Sequence, residues 1–69
     1  MRGETDLRPL LFSIAYRMLG SVGDAEDLVQ EALLRLKRAR RAGEQIASAK
    51  AFLTTIVARL AIDELGPRA

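Results

Sequence analysis

The 69-residue sequence predicts an all-α fold, a compact bundle of three main helices. Apolar residues recur at intervals of three and four within residues 6–19, 24–40 and 49–65, as they do along the buried side of a helix. Glycines occur between these segments, which predicts a break in the helical structure at each of these positions. The 49% hydrophobic content is sufficient for a helical core, and a chain of this length forms one small domain. We therefore expect a single domain over residues 1–69.

The first helix is predicted over residues 6–19. Asp6 or Thr5 can cap its start, and Pro9 falls in the first turn, where its missing N–H costs nothing. Gly20 is well placed to end it. Its apolar stripe consists of Leu7, Leu10, Leu11, Ile14, Ala15, Met18 and Leu19. We interpret this element as a core helix that carries no site.

The second helix is predicted over residues 24–40, after a short connector at 21–23 that makes it an antiparallel neighbour of the first. At 100° per residue, its apolar side gathers Ala25, Leu28, Val29, Ala32, Leu33, Leu36 and Ala39. Its opposite side is acidic at the start and basic at the end, and it comprises Asp24, Asp27, Glu31, Arg35 and Arg38, with Gln30 at its edge and Leu34 within it.

Helix energetics explain part of this polar side. Asp24 suits the N-cap, with Asp27 placed three residues on as in a capping box. The charge order suits the helix dipole, and Glu31 and Arg35 have the spacing of a favourable ion pair. None of this explains Gln30 or Leu34. Leu34 is either a stray exposed residue or an apolar contact inside a rim of charges on a docking surface.

A loop is predicted over residues 40–47, where the periodicity stops and Gly43 occurs. Ser48 is expected to cap the third helix, residues 49–65, and Gly66 with Pro67 to end it. The core stripe of this helix consists of Phe52, Leu53, Ile56, Val57 and Leu60. Its remaining side carries Ala51, Thr54, Thr55, Ala58 and Ile62, with Arg59 at the border. Those residues suit an ordinary bundle surface or a close contact with another chain.

The composition argues against several kinds of site. The chain has neither Cys nor His, which excludes disulfides and thiolate metal sites and removes the usual general base. Asp24, Asp27 and Glu31 share one helix, whereas all-helical metal sites draw ligands from several helices. We therefore expect no catalytic residue, metal or cofactor. Without an apolar run long enough for a membrane or a signal pattern, a cytoplasmic protein with no membrane partner is expected.

A local basic patch favours nucleic acid as a partner. The formal net charge is only +2, but five of the seven residues 35–41 are Arg or Lys. This patch leads into a loop with Gln45 and Ser48, and Lys50 and Arg59 follow. Basic residues attract phosphates, and a polar loop beside them is able to hold the edges of an unstacked base. The alternative is that these arginines only solvate the end of a helix and suit its dipole.

The run Asp-Ala-Glu-Asp-Leu-Val-Gln-Glu at 24–31 resembles region 2.2 of sigma-70 family sigma factors, specifically the extracytoplasmic-function group. Residues 12–21 resemble region 2.1 of the same group, and residues 51–60 resemble regions 2.3 to 2.4, in the same order. The resemblance covers about residues 7–65, nearly the whole chain. It implies the helical fold of sigma region 2 and a role in transcription initiation.

The resemblance implies two partners. The region 2.2 helix of such factors docks on the clamp helices of the beta-prime subunit of core RNA polymerase, with polar contacts from Asp27, Gln30 and Glu31 and neighbouring positions at Asp24, Leu34, Arg35 and Arg38. The loop with Arg41, Gln45 and Ser48 captures a base flipped from the non-template strand of the minus-ten promoter element. The next helix, with Lys50, Thr54, Thr55 and Arg59, tracks that single strand and helps to keep the duplex open.

This chain departs from the group's pattern in ways that bear on DNA. The group often has Trp where this chain has residues 36–38 and Phe52, so stacking capacity is limited. Asp63 and Glu64 stand near the expected DNA side, where they would repel phosphates unless they cap or pair internally. The alternative function is a sigma-like interaction module that binds polymerase or an anti-sigma factor without engaging DNA. A ligand-binding or catalytic bundle is a third option, and it would require a deep pocket.

Such factors also have a second, helix-turn-helix domain that reads the minus-thirty-five element. Nothing in this sequence resembles it, so we expect the chain to be a truncation or a fragment of a longer factor.

Overall fold

The computed structural model of the chain describes residues 6–66. It contains three helices, α1 (Arg8–Leu19), α2 (Val22–Arg41) and α3 (Ala49–Leu65), and each packs against the other two. No strand occurs among residues 6–66. The predicted all-α bundle of three helices is confirmed.

The start of α1 differs from the prediction. Leu7 occupies the N-cap position and makes no side-chain cap. Asp6 instead accepts a hydrogen bond from the Arg8 backbone N–H at 3.1 Å and from the Arg8 guanidinium at 3.1 Å. Thr5, the other predicted cap, lies outside the described residues. The predicted end is confirmed, because Gly20 has a φ of 71° and its N–H donates to the Tyr16 carbonyl.

The start of α2 also corrects the prediction. Ser21 is the N-cap, and its hydroxyl accepts a hydrogen bond from the Asp24 backbone N–H at 3.3 Å. The helix therefore begins at Val22, and the predicted capping box of Asp24 with Asp27 is wrong. Asp24 lies in the first turn, where a carboxylate suits the positive end of the helix dipole.

The end of α2 lies at Arg41, so the first two residues of the predicted loop are helical. Gly43 has a φ of 89°, and its N–H donates to the Arg40 carbonyl at 3.0 Å. The Glu44 N–H donates to the Ala39 carbonyl at 3.0 Å. These two bonds are those of a Schellman motif, which uses Gly because L side chains disfavour the left-handed backbone.

The predicted bounds and cap of α3 agree with the structure. Ser48 is the N-cap, and its hydroxyl accepts a hydrogen bond from the Ala51 N–H at 3.1 Å. Gly66 ends the helix with a φ of 81°, whereas Pro67 lies outside the described residues.

The core lies where the three helices meet. Its buried members are Leu11, Ala15, Ala25, Leu28, Val29, Ala32, Leu36, Leu53, Val57 and Ala61. The predicted stripe of α2 is buried except for Leu33, which is half-buried. The predicted stripe of α1 is too wide, because only Leu11 and Ala15 are fully buried and Leu10 is exposed. Ala61 was not predicted as a core residue.

Candidate functional site

The outward side of α2 forms a continuous ridge, which we define as Asp27, Gln30, Leu34 and Arg38. All four side chains are exposed, and Leu34 has 43% of its surface accessible. They face outward because the buried residues of α2 occupy the opposite side at helical spacing. The structure thus places a large apolar side chain in solvent between an amide and charged groups.

One side of this ridge borders a groove against the start of α1. Its walls are formed by Asp6, Arg8, Pro9, Phe12, Glu26, Val29 and Gln30. The pKa of the Asp6 carboxyl lies below its usual value because the Arg8 side chain donates hydrogen bonds to it, and the Arg8 backbone N–H adds to the effect. Phe12 also stacks on Tyr16, with ring centroids 5.8 Å apart.

The other side of the ridge borders a second groove, between α2 and the last turns of α3. We call it the acidic groove, and it is lined by Asp27, Leu28, Glu31, Arg35, Leu60, Asp63 and Glu64. The predicted ion pair is confirmed here, with Arg35 Nε 2.9 Å from Glu31 Oε2. Asp63 and Glu64, which were expected near the DNA side, line this groove together with Asp27 and Glu31, two of the residues predicted to bind polymerase. The helical spacing of residues within α3 could not predict that its last turns lie beside Asp27 and Glu31 of α2.

The basic patch lies at the end of α2, and its side chains are exposed to solvent. Arg38, Arg40 and Arg41 are exposed in its last turn, as is Lys37 before them. Within residues 6–66 the ion pairs are Asp6–Arg8 and Glu31–Arg35. Of the basic residues at 35–41, only Arg35 is therefore paired within this part of the chain, and the other four retain their positive charge. Gln45 in the following loop is also exposed.

The candidate DNA residues on α3 fall into two rows. Lys50 and Thr54 stand one turn apart in the first row, and Thr55 and Arg59 stand one turn apart in the second. Thr54 is half-buried and its hydroxyl donates to the Ala51 carbonyl at 3.2 Å, whereas the other three are exposed. The strip between the rows carries Ala51, Ala58 and Ile62, the last 57% exposed.

The caps limit what some of these side chains can offer. The Ser48 hydroxyl already accepts a bond from its own helix, so its O–H and one remaining lone pair are available to a ligand. Asp24 lies at the margin of the ridge, one turn before Asp27.

Residues 6–66 contain no group of three or more carboxylates placed to hold a metal ion. None of the described helices is long and apolar enough to cross a membrane.

Comparison with known proteins identifies the family. The chain matches the family described as Sigma-70 region 2 over residues 5–68. It is 51% identical over 59 residues to the ECF RNA polymerase sigma factor SigJ of Mycobacterium tuberculosis, which covers 86% of this chain and 18% of that protein. It is 41% identical over 58 residues to the probable ECF RNA polymerase sigma factor SigI of the same species, which covers 84% of this chain and 19% of that protein.

The chain thus spans about a fifth of the length of these relatives. No solved structure matches it. The match over residues 5–68 covers all three helices and both sides of the α2 ridge. The chain therefore belongs to the sigma-70 region 2 family.

Proposed function

We propose that this chain is a transcription initiation domain that binds core RNA polymerase and holds the melted minus-ten element of a promoter. The observation that carries the proposal is the exposure of Leu34 beside Gln30 on the outward side of α2. An exposed apolar residue within a polar rim has the composition of a docking surface. The relatives are named as RNA polymerase sigma factors, which supports polymerase as the partner of this surface.

The polymerase surface is the α2 ridge and its acidic border. Leu34 supplies apolar contact area, and Gln30 supplies an amide with both donors and acceptors. Further polar contacts come from Asp24, Asp27, Glu31, Arg35 and Arg38. The occupant is the pair of clamp helices of the beta-prime subunit, which present a helical surface to this ridge.

The DNA surface begins where the ridge ends. Arg41 and Lys50 flank the loop that carries Gln45, and both side chains are exposed. We infer that this loop holds a base from the non-template single strand, with the Ser48 O–H as an additional donor. Thr54, Thr55 and Arg59 continue this surface along α3. The domain supplies binding energy that keeps the duplex open, whereas polymerase performs the chemistry, in the cytoplasm.

Polymerase binding is tested by Leu34→Arg, measured with core RNA polymerase of Mycobacterium tuberculosis by fluorescence anisotropy of the labelled chain. We expect at least a tenfold loss of affinity, because a charge then replaces the central apolar contact. Leu10→Arg is the matched control, since Leu10 is 36% exposed on α1 and the same charge is added. Equal affinities for both variants and the wild type would contradict the proposal.

Measurements of DNA binding distinguish the proposed function from the alternative, an interaction module that does not engage DNA. Arg41→Gln and Lys50→Gln should weaken binding of single-stranded DNA while leaving polymerase affinity unchanged. If they leave single-strand affinity unchanged while Leu34→Arg removes polymerase binding, the chain is an interaction module. Such a module binds polymerase or an anti-sigma factor without engaging DNA.

A further inference from the structure

The acidic groove combines an apolar floor with charged walls. Leu28 and Leu60 form the floor, between α2 and the last turns of α3. Carboxylates from both helices border it, from Asp27 and Glu31 on one side and from Asp63 and Glu64 on the other. The walls therefore come from segments more than 30 residues apart in sequence, and only the folded bundle brings them together.

The negative charge of this groove is only partly neutralised within residues 6–66. Arg35 is the one basic residue in the lining, and it pairs with Glu31 at 2.9 Å. Asp27, Asp63 and Glu64 form no ion pair with any of the described residues. The described carboxylates also do not converge in a group of three able to share a metal ion. With four carboxylates and one basic residue in its lining, the groove instead suits a basic side chain.

The two acidic residues of the acidic groove on α3 interact unfavourably with the dipole of their own helix. Asp63 and Glu64 lie in the last turn, where the helix dipole places partial negative charge, and no basic residue in that turn offsets them. Helix stability therefore gives no reason for carboxylates at these positions. A positively charged occupant of the groove supplies one.

We propose that the acidic groove receives a lysine or arginine side chain from the same polymerase segment that docks on the α2 ridge. The aliphatic stem of that side chain would cover Leu28 and Leu60, with its charge among the carboxylates. Asp27 belongs to both the ridge and the groove, so a partner seated on the ridge reaches the groove without a second interface. This assigns Asp63 and Glu64 to the polymerase interface and rests on the proposed function.

The test is the double substitution Asp63→Asn with Glu64→Gln in the 69-residue chain, titrated with core RNA polymerase. Both side chains are exposed and the replacements are isosteric, so the fold is retained. We expect about fivefold weaker binding, because two exposed charge contacts are removed, and a shallower dependence on salt. The Tm of the free variant should rise, because two charges that oppose the α3 dipole are removed.

Glu44→Gln is the matched control, because Glu44 is an exposed acid in the loop before α3 and lies outside the groove. It should leave polymerase affinity unchanged. Unchanged affinity of the double variant, with binding abolished in Leu34→Arg, would overturn the assignment of the groove alone. Unchanged affinity in both would overturn the proposed function as well. Self-association of the wild-type chain that the double variant abolishes, at unaltered polymerase affinity, would assign the groove to a second copy.

Discussion

Leu34 and Leu53 are the same residue type in opposite environments, with 43% and 2% of their surfaces accessible. Leu53→Ala should lower the free energy of unfolding by about 2–4 kcal/mol, because it removes buried methyl groups and leaves a cavity. Leu34→Ala should change it by no more than about 0.5 kcal/mol, because its side chain already contacts water. Urea unfolding followed by circular dichroism compares the two. A decrease at Leu34 equal to that at Leu53 would mean that Leu34 packs inside the domain.

The burial or exposure of single residues could be predicted where a helix has one apolar and one polar side. The 100° spacing of α2 placed Gln30 and Leu34 outward, and both are exposed. The same rule failed for α1, where an apolar stripe predicted burial of Leu10 but the helix packs on its neighbours along a narrower line. Ala61 was missed for a related reason, because a small side chain gives a weak hydrophobic signal although it allows close packing.

At the scale of the element, Ser48 has two proposed roles that one pair of substitutions separates. Ser48→Ala should destabilise the domain by about 1 kcal/mol, because the Ala51 N–H loses its cap. Ser48→Asp should retain stability, because Asp caps equally well and suits the helix dipole. Its negative charge should nevertheless weaken single-stranded DNA binding. Thermal unfolding and fluorescence anisotropy measure the two effects. Equal DNA affinity for Ser48→Asp and the wild type would place Ser48 outside the DNA surface.

The connection between α1 and α2 allows a second pair of substitutions to be compared. Gly20 has a φ of 71°, whereas Gly23 lies inside α2 with open space around the position that a methyl group would take. Gly20→Ala should cost about 1 kcal/mol of stability, since L residues disfavour this backbone region. Gly23→Ala should add about 0.5 kcal/mol by reducing the entropy of the unfolded chain. Thermal unfolding of both variants checks the opposite signs, and a decrease in stability in Gly23→Ala would contradict the helix start at Val22.

That start is also where local sequence was ambiguous. Ser21 and Asp24 are both good N-cap residues, and each has an acidic residue three positions later. The prediction took Asp24 as the N-cap and placed Ser21 in the connector, since Gly23 favoured a connector. The structure shows that Ser21 caps and Gly23 is helical. By contrast, the loop leaves Ser48 as the single capping residue before α3, and that boundary was predicted correctly.

Across the whole molecule, charge is segregated in a way that the sequence shows only in part. The basic patch is contiguous in sequence and was predicted directly. The acidic groove joins Asp27 and Glu31 to Asp63 and Glu64, and this juxtaposition depends on how α3 packs across α2. Periodicity fixes which side of a helix is buried, but it does not fix which turns of two helices meet. The contact of the acidic turn of α3 with the α2 ridge was therefore not predicted.

This segregation predicts how salt affects DNA binding. Removing one phosphate contact should reduce the slope of log affinity against log salt concentration by about 0.7 for a single strand. Arg41→Gln should therefore weaken binding of a single-stranded oligonucleotide and flatten the slope by about this amount. Fluorescence anisotropy over a range of about 50 to 200 mM salt measures both quantities.

Arg17→Gln provides the matched control, because Arg17 is an exposed arginine in the last turn of α1, away from the basic patch. Both substitutions lower the formal net charge from +2 to +1, so a response to net charge alone would be the same in each. If Arg41 contacts a phosphate, only Arg41→Gln should reduce the slope of log affinity against log salt concentration. Equal slopes in the two variants would show that DNA responds to the overall charge of the domain, and the loop after α2 would lose its place in the DNA surface.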